Sequence, residues 1–426
     1  MTPALLDIHD PNLQLWHGDT RVQSPGYALM EGDHYVFGEP ARAAARIHPR
    51  GINTRFWWQL GTEPLQPALG PARHTADLAH AHLQQLHIEA NKPQSVILTT
   101  SSSMQRAQLS LLLGIAQECD FTVAALVNRS VALGALHATT GRTWHLELQL
   151  HQACLSELIR TDGQVELGKV VPLPGNGLLQ MQENLVKRCA KAFIEQTRFD
   201  PLRKAVSEQH LYDALPQALR RLQTRQETNL DVDGYQARIL KADLATVGDK
   251  MINSLDQAIS REAGTLLIDP VLTLLPGFVQ ALDKHNGELR SAAAQDVCTA
   301  LGQHGSVVMQ RDGEHLHHVV SLPCLAPEAR VTRTSAAPVT PTSSVNNPAK
   351  PTHLLRGGQA WPLAAHHTAL SAGWCLQEAN GHWQLNPGTG VAIVNTTTHS
   401  SATPVFAGDT ISIGEQPVIT LIRVEN

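Results

Sequence analysis

The sequence predicts an α/β domain followed by a linker and a small all-β domain. Over residues 1–325, short apolar runs typical of strands alternate with helical patterns. Residues 326–352 are rich in Pro, Ser and Thr and have no hydrophobic periodicity, which indicates a linker. Residues 353–426 contain strand patterns separated by turn signals, as in a β-sandwich. A length of 426 residues also exceeds what one ordinary core supports.

Composition argues against several classes of partner. A net charge of -5 gives no basic field for nucleic acid. No apolar run approaches the roughly 20 residues of a membrane span, and the N-terminus lacks the basic start of a signal peptide. The six cysteines form no C-x-x-C pair, which favours reduced thiols over zinc ligands. We therefore expect a cytoplasmic protein without nucleic acid, membrane insertion or a metal site.

The first domain opens with an apparent β-hairpin. Its sequence is LLDIHDPNLQLW, residues 5–16, in which apolar residues alternate on either side of the polar turn HDPN. Further strands are predicted at SVILTT, TWHLELQL and TLLIDPVL, and helices at TADLAHAHLQQLHIEA and MQRAQLSLLLGIAQECD. Ser103 is expected to cap the second of these helices. Tail strands are predicted at HWQLNP, GVAIVN, DTISIGE and VITLIRV.

The order of segments over residues 4–303 resembles the ATPase domain of the heat-shock protein 70 (DnaK) family, in the actin superfamily. Residues 24–61 match the T-P-S strand, the V-G-x-x-A helix and the N-T-x-x-x-x-K-R-L-I-G segment. Residues 95–136 match the Q-R helix and the N-E-P-T-A-A-A segment, and residues 241–282 resemble the approach to the adenosine loop. The resemblance implies two actin-like lobes with a nucleotide cleft between them.

By this resemblance, two glycine-rich hairpins should hold phosphates through their backbone N–H groups. Asp7 and Glu147 stand at the acidic positions of the two hairpins. The glycine and threonine positions of the hairpins are filled instead by His9, Asp10 and Pro11 in the first and by Gln149, Leu150, His151 and Gln152 in the second. These residues add side chains and negative charge, and Pro11 removes a donor, where phosphate should pass.

The other family landmarks are also altered. The catalytic lysine falls near Trp58 or Gln59, and Arg129 replaces the Glu of N-E-P-T. Pro270 and Val271 stand at the glycine pair of the adenosine loop. A pseudo-ATPase without a cofactor is therefore the favoured interpretation, with ATP or ADP and magnesium as the open alternative.

Asp7 and Glu147 allow two interpretations. As a carboxylate pair across the cleft they would bind a hydrated cation. As two solvated acids at turn edges they would have no catalytic role, and this second interpretation is favoured.

The tail resembles the second half of a forkhead-associated (FHA) domain. The V-N-G and L-x-x-G-D-x-I-x-L-G positions of that family are matched by Asn395, Gly408, Asp409, Ile411, Ile413 and Gly414. For the phosphothreonine grip the sequence offers only Arg356 and Ser371, because Ala372 and Trp374 replace the Arg and His of the S-R-x-H motif.

These observations favour a heat-shock-70-like pseudo-ATPase that acts as a scaffold or adaptor for other proteins. One alternative is a divergent chaperone-type ATPase that uses Asp7 and Glu147. A second alternative is a phosphothreonine-peptide reader that acts through Arg356, Ser371 and Asn395. The short tail has no helical lid pattern, so a chaperone-type peptide-binding domain is not expected.

Overall fold

The chain forms two compact units, Met1–Arg330 and Val331–Asn426. The computed structural model describes residues 2–259, 264–282, 287–309, 316–325, 351–356, 359–363, 367–370, 373–379, 382–389, 391–394, 397–399, 401–413 and 419–422. Most of the predicted linker, residues 326–350, lies outside these ranges. Within them, no helix combines the length and the apolar character that crossing a membrane requires.

The first unit is a mixed α/β structure. Its strands are β1 (Ala4–Ile8), β2 (Leu13–His17), β3 (Thr20–Ser24), β4 (Ala28–Glu31), β5 (His34–Phe37), β6 (Ile52–Asn53), β7 (Pro64–Leu69), β8 (Ala72–His74), β9 (Ser95–Thr100), β10 (Thr122–Asn128), β11 (Gly141–Leu148), β12 (Gln152–Thr161), β13 (Gln164–Pro174), β14 (Glu227–Val232), β15 (Tyr235–Leu240), β16 (Thr265–Ile268), β17 (Glu288–Ser291), β18 (His318–Val319) and β19 (Ser321–Pro323). Its helices are α1 (Glu39–Ala43), α2 (Thr75–Glu89), α3 (Arg106–Gln117), α4 (Arg129–His137), α5 (Leu178–Thr197), α6 (Ala205–Thr224), α7 (Lys241–Leu244), α8 (Asp249–Ala258), α9 (Phe278–Leu282) and α10 (Asp296–Val308).

Two six-stranded sheets in this unit repeat one topology. The first sheet has the order β18-β10-β9-β1-β2-β3, and the second has the order β17-β16-β11-β12-β13-β19. In each sheet an antiparallel meander, β1-β2-β3 or β11-β12-β13, is extended by parallel strands next to its first strand. The carboxyl ends of β1 and β11 therefore lie beside those of their parallel neighbours.

The core is arranged in layers around these sheets. Helices α4 and α10 pack in a shared apolar cluster with residues of both sheets, such as Ile97 of the first and Leu267 of the second. The opposite face of the first sheet packs against α2 and α3, and that of the second packs against α5 and α6. This layering presents the start of α4 to strand ends of both sheets.

One short segment completes both sheets. β18 pairs in parallel with β10 at the edge of the first sheet, and β19 pairs antiparallel with β13 at the edge of the second. Only Val320 separates the two strands. Immediately after it, the N–H groups of Cys324 and Leu325 donate to Gly163 O and Ala135 O. Residues 318–325 therefore connect strands β10 and β13 with the turn after β12 and with helix α4.

The predicted hairpin at residues 5–16 is confirmed, since β1 and β2 pair antiparallel with Leu6 opposite Leu15. The strands and helices predicted from apolar periodicity are present as β9, β11, β16, α2 and α3. The expected cap was wrong: Gln105, not Ser103, is the N-cap residue of α3. The Ser103 hydroxyl instead accepts a hydrogen bond from Gln149 Nε2 at 2.8 Å.

The second unit consists of strands in its described residues. They are β20 (His353–Arg356), β21 (Gln359–Pro362), β22 (His367–Ala369), β23 (Cys375–Ala379), β24 (His382–Asn386), β25 (Ala392–Val394), β26 (Thr397–His399), β27 (Thr403–Val405), β28 (Thr410–Ile413) and β29 (Ile419–Ile422). They form two sheets, β21-β20-β29-β28-β25-β26 and β22-β23-β24-β27, which share a core that includes Trp374 and Trp383. Thr352, assigned to the linker by prediction, donates its N–H to Ile422 O.

Gly177, the N-cap of α5, provides a test of how the second sheet's hairpin is positioned. A Cβ there would lie 2.3 Å from the backbone carbon of His151, so Gly177→Ala must displace the turn after β11. We expect a loss of about 2 kcal/mol or more in unfolding free energy, measured by urea denaturation.

The matched control is Gly114→Ala. Gly114 lies in α3 with no atom within 4 Å of the added Cβ, so this change should stabilise by about 0.5–1 kcal/mol. Equal effects of the two substitutions would contradict the close packing described at Gly177.

Candidate functional site

The candidate site lies where strand ends of the two sheets of the first unit meet. Asp7 is in β1 and Glu147 is in β11, while Arg129 is the first residue of α4, directly after β10. Asp269 follows β16 directly. Carboxyl ends of parallel strands are the usual position of ligand sites in open α/β sheets.

Arg129 is the centre of this site. Its guanidinium contacts a carboxylate on three sides: Nε lies 3.2 Å from Asp7 Oδ2, Nη2 lies 3.0 Å from Asp269 Oδ1, and Nη1 lies 3.7 Å from Glu147 Oε2. Arg129 is 5% exposed, and the three acids are 0–1% exposed. A single buried cation thus joins elements of both sheets.

The interpretation of Asp7 and Glu147 as solvated acids at turn edges was wrong. Both carboxylates are buried, because β1 and β11 are interior strands of their sheets. Asp7 Oδ1 also accepts a hydrogen bond from Thr99 Oγ1 at 2.6 Å, and Glu147 Oε1 accepts one from Gln149 Nε2 at 2.8 Å. Arg129 lies between them, in the place where the cation hypothesis would put a hydrated metal ion.

Burial and charge oppose each other in this cluster. Burial favours the neutral carboxylic acid at Asp269, yet the attraction of Arg129 and His9 and the contact with His145 lower the pKa of Asp269 well below its ordinary value. Burial likewise acts against a charged Arg129, but Asp269, Asp7 and Glu147 raise the pKa of its guanidinium. Both groups are therefore held in their charged forms.

The two hairpin turns contact each other directly. His9, in the first turn, donates from Nε2 to Leu148 O at 2.9 Å, and the same nitrogen lies 3.3 Å from Asp269 Oδ2. Asp10 Oδ1 accepts the backbone N–H of Leu150, in the second turn, at 3.0 Å. The two turns are thus hydrogen-bonded to each other through His9 and Asp10.

The pKa values of His9 and Asp10 are both raised. Burial and Arg129 act to lower the pKa of His9, but Asp269 and Glu147 outweigh them and raise it. Burial raises the pKa of Asp10 to about 7; Glu147 adds to this shift, while His9 and the Leu150 N–H oppose it. Asp10 is consequently poised to lose a proton near neutral pH.

A pocket of about 250 Å³ opens between the hairpins. It is lined by Ile8, Asp10, Trp57, Trp58, Ser101, Ser103, Met104, Gln105, Gln108, Glu147, Gln149, Gln152 and Pro172. Trp58, which the resemblance places near a catalytic lysine, also stacks on His151 with ring centroids 5.1 Å apart. None of the described lining residues is Lys, Arg or His.

The predicted adenosine-loop residues follow the cluster residue Asp269 directly. Pro270 and Val271 belong to a 3₁₀ turn, Pro270–Leu274, that follows Asp269. Val271 packs against the apolar cluster of the second sheet. A turn held by core packing replaces the open glycine loop implied by the resemblance.

Ser130, His145 and Asp269 have the connectivity of a nucleophile relay. Ser130 Oγ lies 2.8 Å from His145 Nδ1, and His145 Nε2 lies 3.5 Å from Asp269 Oδ1. All three side chains are fully buried, so no substrate reaches the serine hydroxyl. The arrangement is a buried polar network that helps to position Asp269.

A second set of contacts lies at another pocket, of about 610 Å³, which shares Trp58 with the first. The side chain of Gln209, in α6, accepts the N–H of Arg46 at 2.9 Å and donates to Arg42 O at 3.3 Å. The Arg46 guanidinium lies 4.0 Å from the ring centroid of Tyr212. These contacts connect α6 to the segment that begins with α1.

The side chains of the candidate phosphopeptide site lie outside the described part of the chain. Ser371 and Asn395 lie outside the described residues, and of Arg356 only the backbone, at the end of β20, is described. Among the described residues, no group of three or more His, Cys, Asp or Glu side chains is placed to hold a metal ion.

Sequence reasoning missed Asp269 and the role of Arg129. Asp269 follows the apolar strand TLLI directly, a position that places a side chain at the carboxyl edge of a sheet. At Arg129 the resemblance indicates only the loss of a glutamate, although the position of Arg129 directly after β10 places it at the carboxyl edge of the first sheet. Comparison of the chain with family models and with curated proteins finds no match.

Removing the central cation should be strongly destabilising. Arg129→Met leaves three buried carboxylates without their counter-charge, so we expect a loss of about 3–5 kcal/mol in urea unfolding. The control is Arg238→Gln, because Arg238 pairs with Glu227 at 3.5 Å with both side chains exposed. That change should cost less than about 1 kcal/mol, and similar losses for the two variants would contradict a central role for Arg129.

The acidity of Asp10 gives a pH-dependent prediction. An unfolded Asp ionises near pH 3.8, whereas Asp10 in the fold ionises near pH 7. Over this interval the folded chain keeps a proton that the unfolded chain releases, so this group lowers stability as pH rises from about 4 to 7.

Asp10→Asn retains an acceptor for the Leu150 N–H and cannot ionise. We expect it to stabilise the protein at pH 8 by about 2 kcal/mol, with a much smaller gain at pH 5, in urea unfolding at both values. Asp33→Asn, at a fully exposed carboxylate, should show no such pH dependence. A uniform effect of Asp10→Asn at both pH values would argue against the raised pKa.

Proposed function

We propose that this chain is a heat-shock-70-like pseudo-ATPase that serves as a fixed scaffold or adaptor for other proteins. The observation that carries the proposal is the Arg129 guanidinium held by Asp7, Glu147 and Asp269. In the family that the sequence resembles, magnesium and phosphate lie between the corresponding hairpins. Here the Arg129 guanidinium compensates the charge of the acids, so no metal ion is needed at that place for charge balance.

The repeated sheet topology supports an actin-like, two-lobed fold for the first unit. Both large sheets have an antiparallel meander with parallel strands added beside its first strand, and α4 and α10 lie in the core shared by the two sheets. A duplicated α/β half with helices between the sheets is what the resemblance implies.

The hairpin turns support the loss of nucleotide binding. Pro11 has no N–H, the Leu150 N–H donates to Asp10, and the His9 ring donates to Leu148 O. Asp10 and Glu147 bring negative charge to the pocket between the turns. A polyphosphate would have to break these contacts and approach two carboxylates without a lining cation.

Three levels of contact support a fixed rather than a cycling arrangement. The Arg129 cluster joins the two sheets, the two hairpin turns are hydrogen-bonded to each other, and Gln209 and Tyr212 of α6 hold the segment around Arg46. ATP-driven opening needs contacts that form and break with the nucleotide. Here the contacts at these three levels are made by the protein itself.

The proposal is tested by calorimetric titration of the folded, nucleotide-free chain with ATP and ADP in the presence of magnesium. We expect no binding heat and no rise in the unfolding temperature, because a ligand at 100 times its dissociation constant would add about 2.7 kcal/mol. Micromolar binding that Asp7→Asn abolishes would overturn the proposal and favour the divergent ATPase. Binding of a phosphothreonine peptide that Arg356→Ala removes would instead favour the reader.

A further inference from the structure

The pocket between the hairpins carries an excess of negative charge. Asp10 and Glu147 line it, and Asp7 and Asp269 lie in the same buried cluster. Against these four carboxylates, the cluster contains one guanidinium, Arg129, and two imidazole rings, His9 and His145, which both contact Asp269. Buried charge without a counter-charge is costly, and the raised pKa of Asp10 has the same origin, in burial and in the nearby Glu147.

The remaining lining suits a cation that also has an apolar part. Trp57, Trp58 and Met104 form an apolar part of the wall, and the indole of Trp58 is half-buried. The face of an indole attracts a cation. The two N–H groups of Gln149 Nε2 have three acceptors within reach, the hydroxyls of Ser101 and Ser103 and the carboxylate of Glu147, so its donors are occupied within the protein. The pocket therefore combines carboxylates with an aromatic surface.

We propose that this pocket binds an organic cation, an ammonium or guanidinium group on a short alkyl chain, between Asp10 and Glu147 and the Trp57–Trp58 wall. Glu147 Oε1 accepts from Gln149 Nε2, and Glu147 Oε2 makes no hydrogen bond and lies 3.7 Å from Arg129 Nη1, so a bound cation would share this carboxylate with Arg129. A site built on a phosphate-binding scaffold would thus have reversed its charge preference.

This inference goes beyond the scaffold proposal, because it gives the pocket a ligand of stated chemistry. Two sources can supply such a cation. It is either a free small molecule or a Lys or Arg side chain of a protein partner. Both sources share the same chemistry at Asp10, Glu147 and Trp58.

The test is calorimetric titration of the full chain with n-butylguanidinium and with its neutral counterpart n-butylurea. We expect the cation to bind with a dissociation constant of about 1 mM or below, and we expect n-butylurea not to bind. Asp10→Asn should weaken cation binding about tenfold or more, whereas Asp33→Asn, at an exposed acid, should leave it unchanged. If Asp10→Asn does not fold, Trp58→Leu should weaken binding through loss of the aromatic face.

A short peptide with a central arginine, and the same peptide with citrulline, identify the source. Tighter binding of the arginine peptide than of n-butylguanidinium supports the cation site and assigns it to a protein side chain. Equal binding supports the site and assigns it to a free cation.

The inference is overturned if folded protein gives no heat with n-butylguanidinium, if n-butylurea binds equally well, or if Asp33→Asn weakens binding as much as Asp10→Asn. An ATP titration of the same sample separates the two proposals. Silence from both ATP and the cation would remove this inference and leave the scaffold proposal intact. Binding of ATP would overturn the scaffold proposal instead.

Discussion

The buried guanidinium of Arg129 is the constraint on which the rest of the first unit depends. An arginine does not lose its proton inside a protein, so its charge must be compensated where it lies. Asp7, Glu147 and Asp269 supply that compensation from three different strand ends. Because each of these acids is buried, each also needs the arginine. The two sheets must therefore meet at one geometry, and this requirement fixes the positions of both hairpin turns.

A buried ion cluster specifies an arrangement more than it stabilises one. Desolvation of the charges offsets much of their attraction, but a missing member leaves a charge without its partner. The same logic extends outward from the cluster. His9 and Asp10 contact the second hairpin, and Gln209 holds the segment around Arg46.

The sequence predicted the local elements well and the site only in part. Alternating apolar residues identified the hairpin at residues 5–16, and helical periodicity identified α2 and α3, because these signals are local. The burial of Asp7 and Glu147 was not predicted, since it depends on sheets assembled from distant segments. Asp269 lies 262 positions from Asp7, and no periodicity links them. Arg129 likewise acts through contacts that only the fold creates.

The segment of residues 318–325 gives the first unit a mechanical property. Six residues complete the edges of two sheets, and the next two are tied to Gly163 and Ala135. A pull on the chain beyond residue 325 therefore loads the turn after β12 and the helix α4 at once, and through them both sheets. Such a pull would have to shear several backbone hydrogen bonds before either sheet could separate. Tension applied at this end of the unit would thus reach both sheets together.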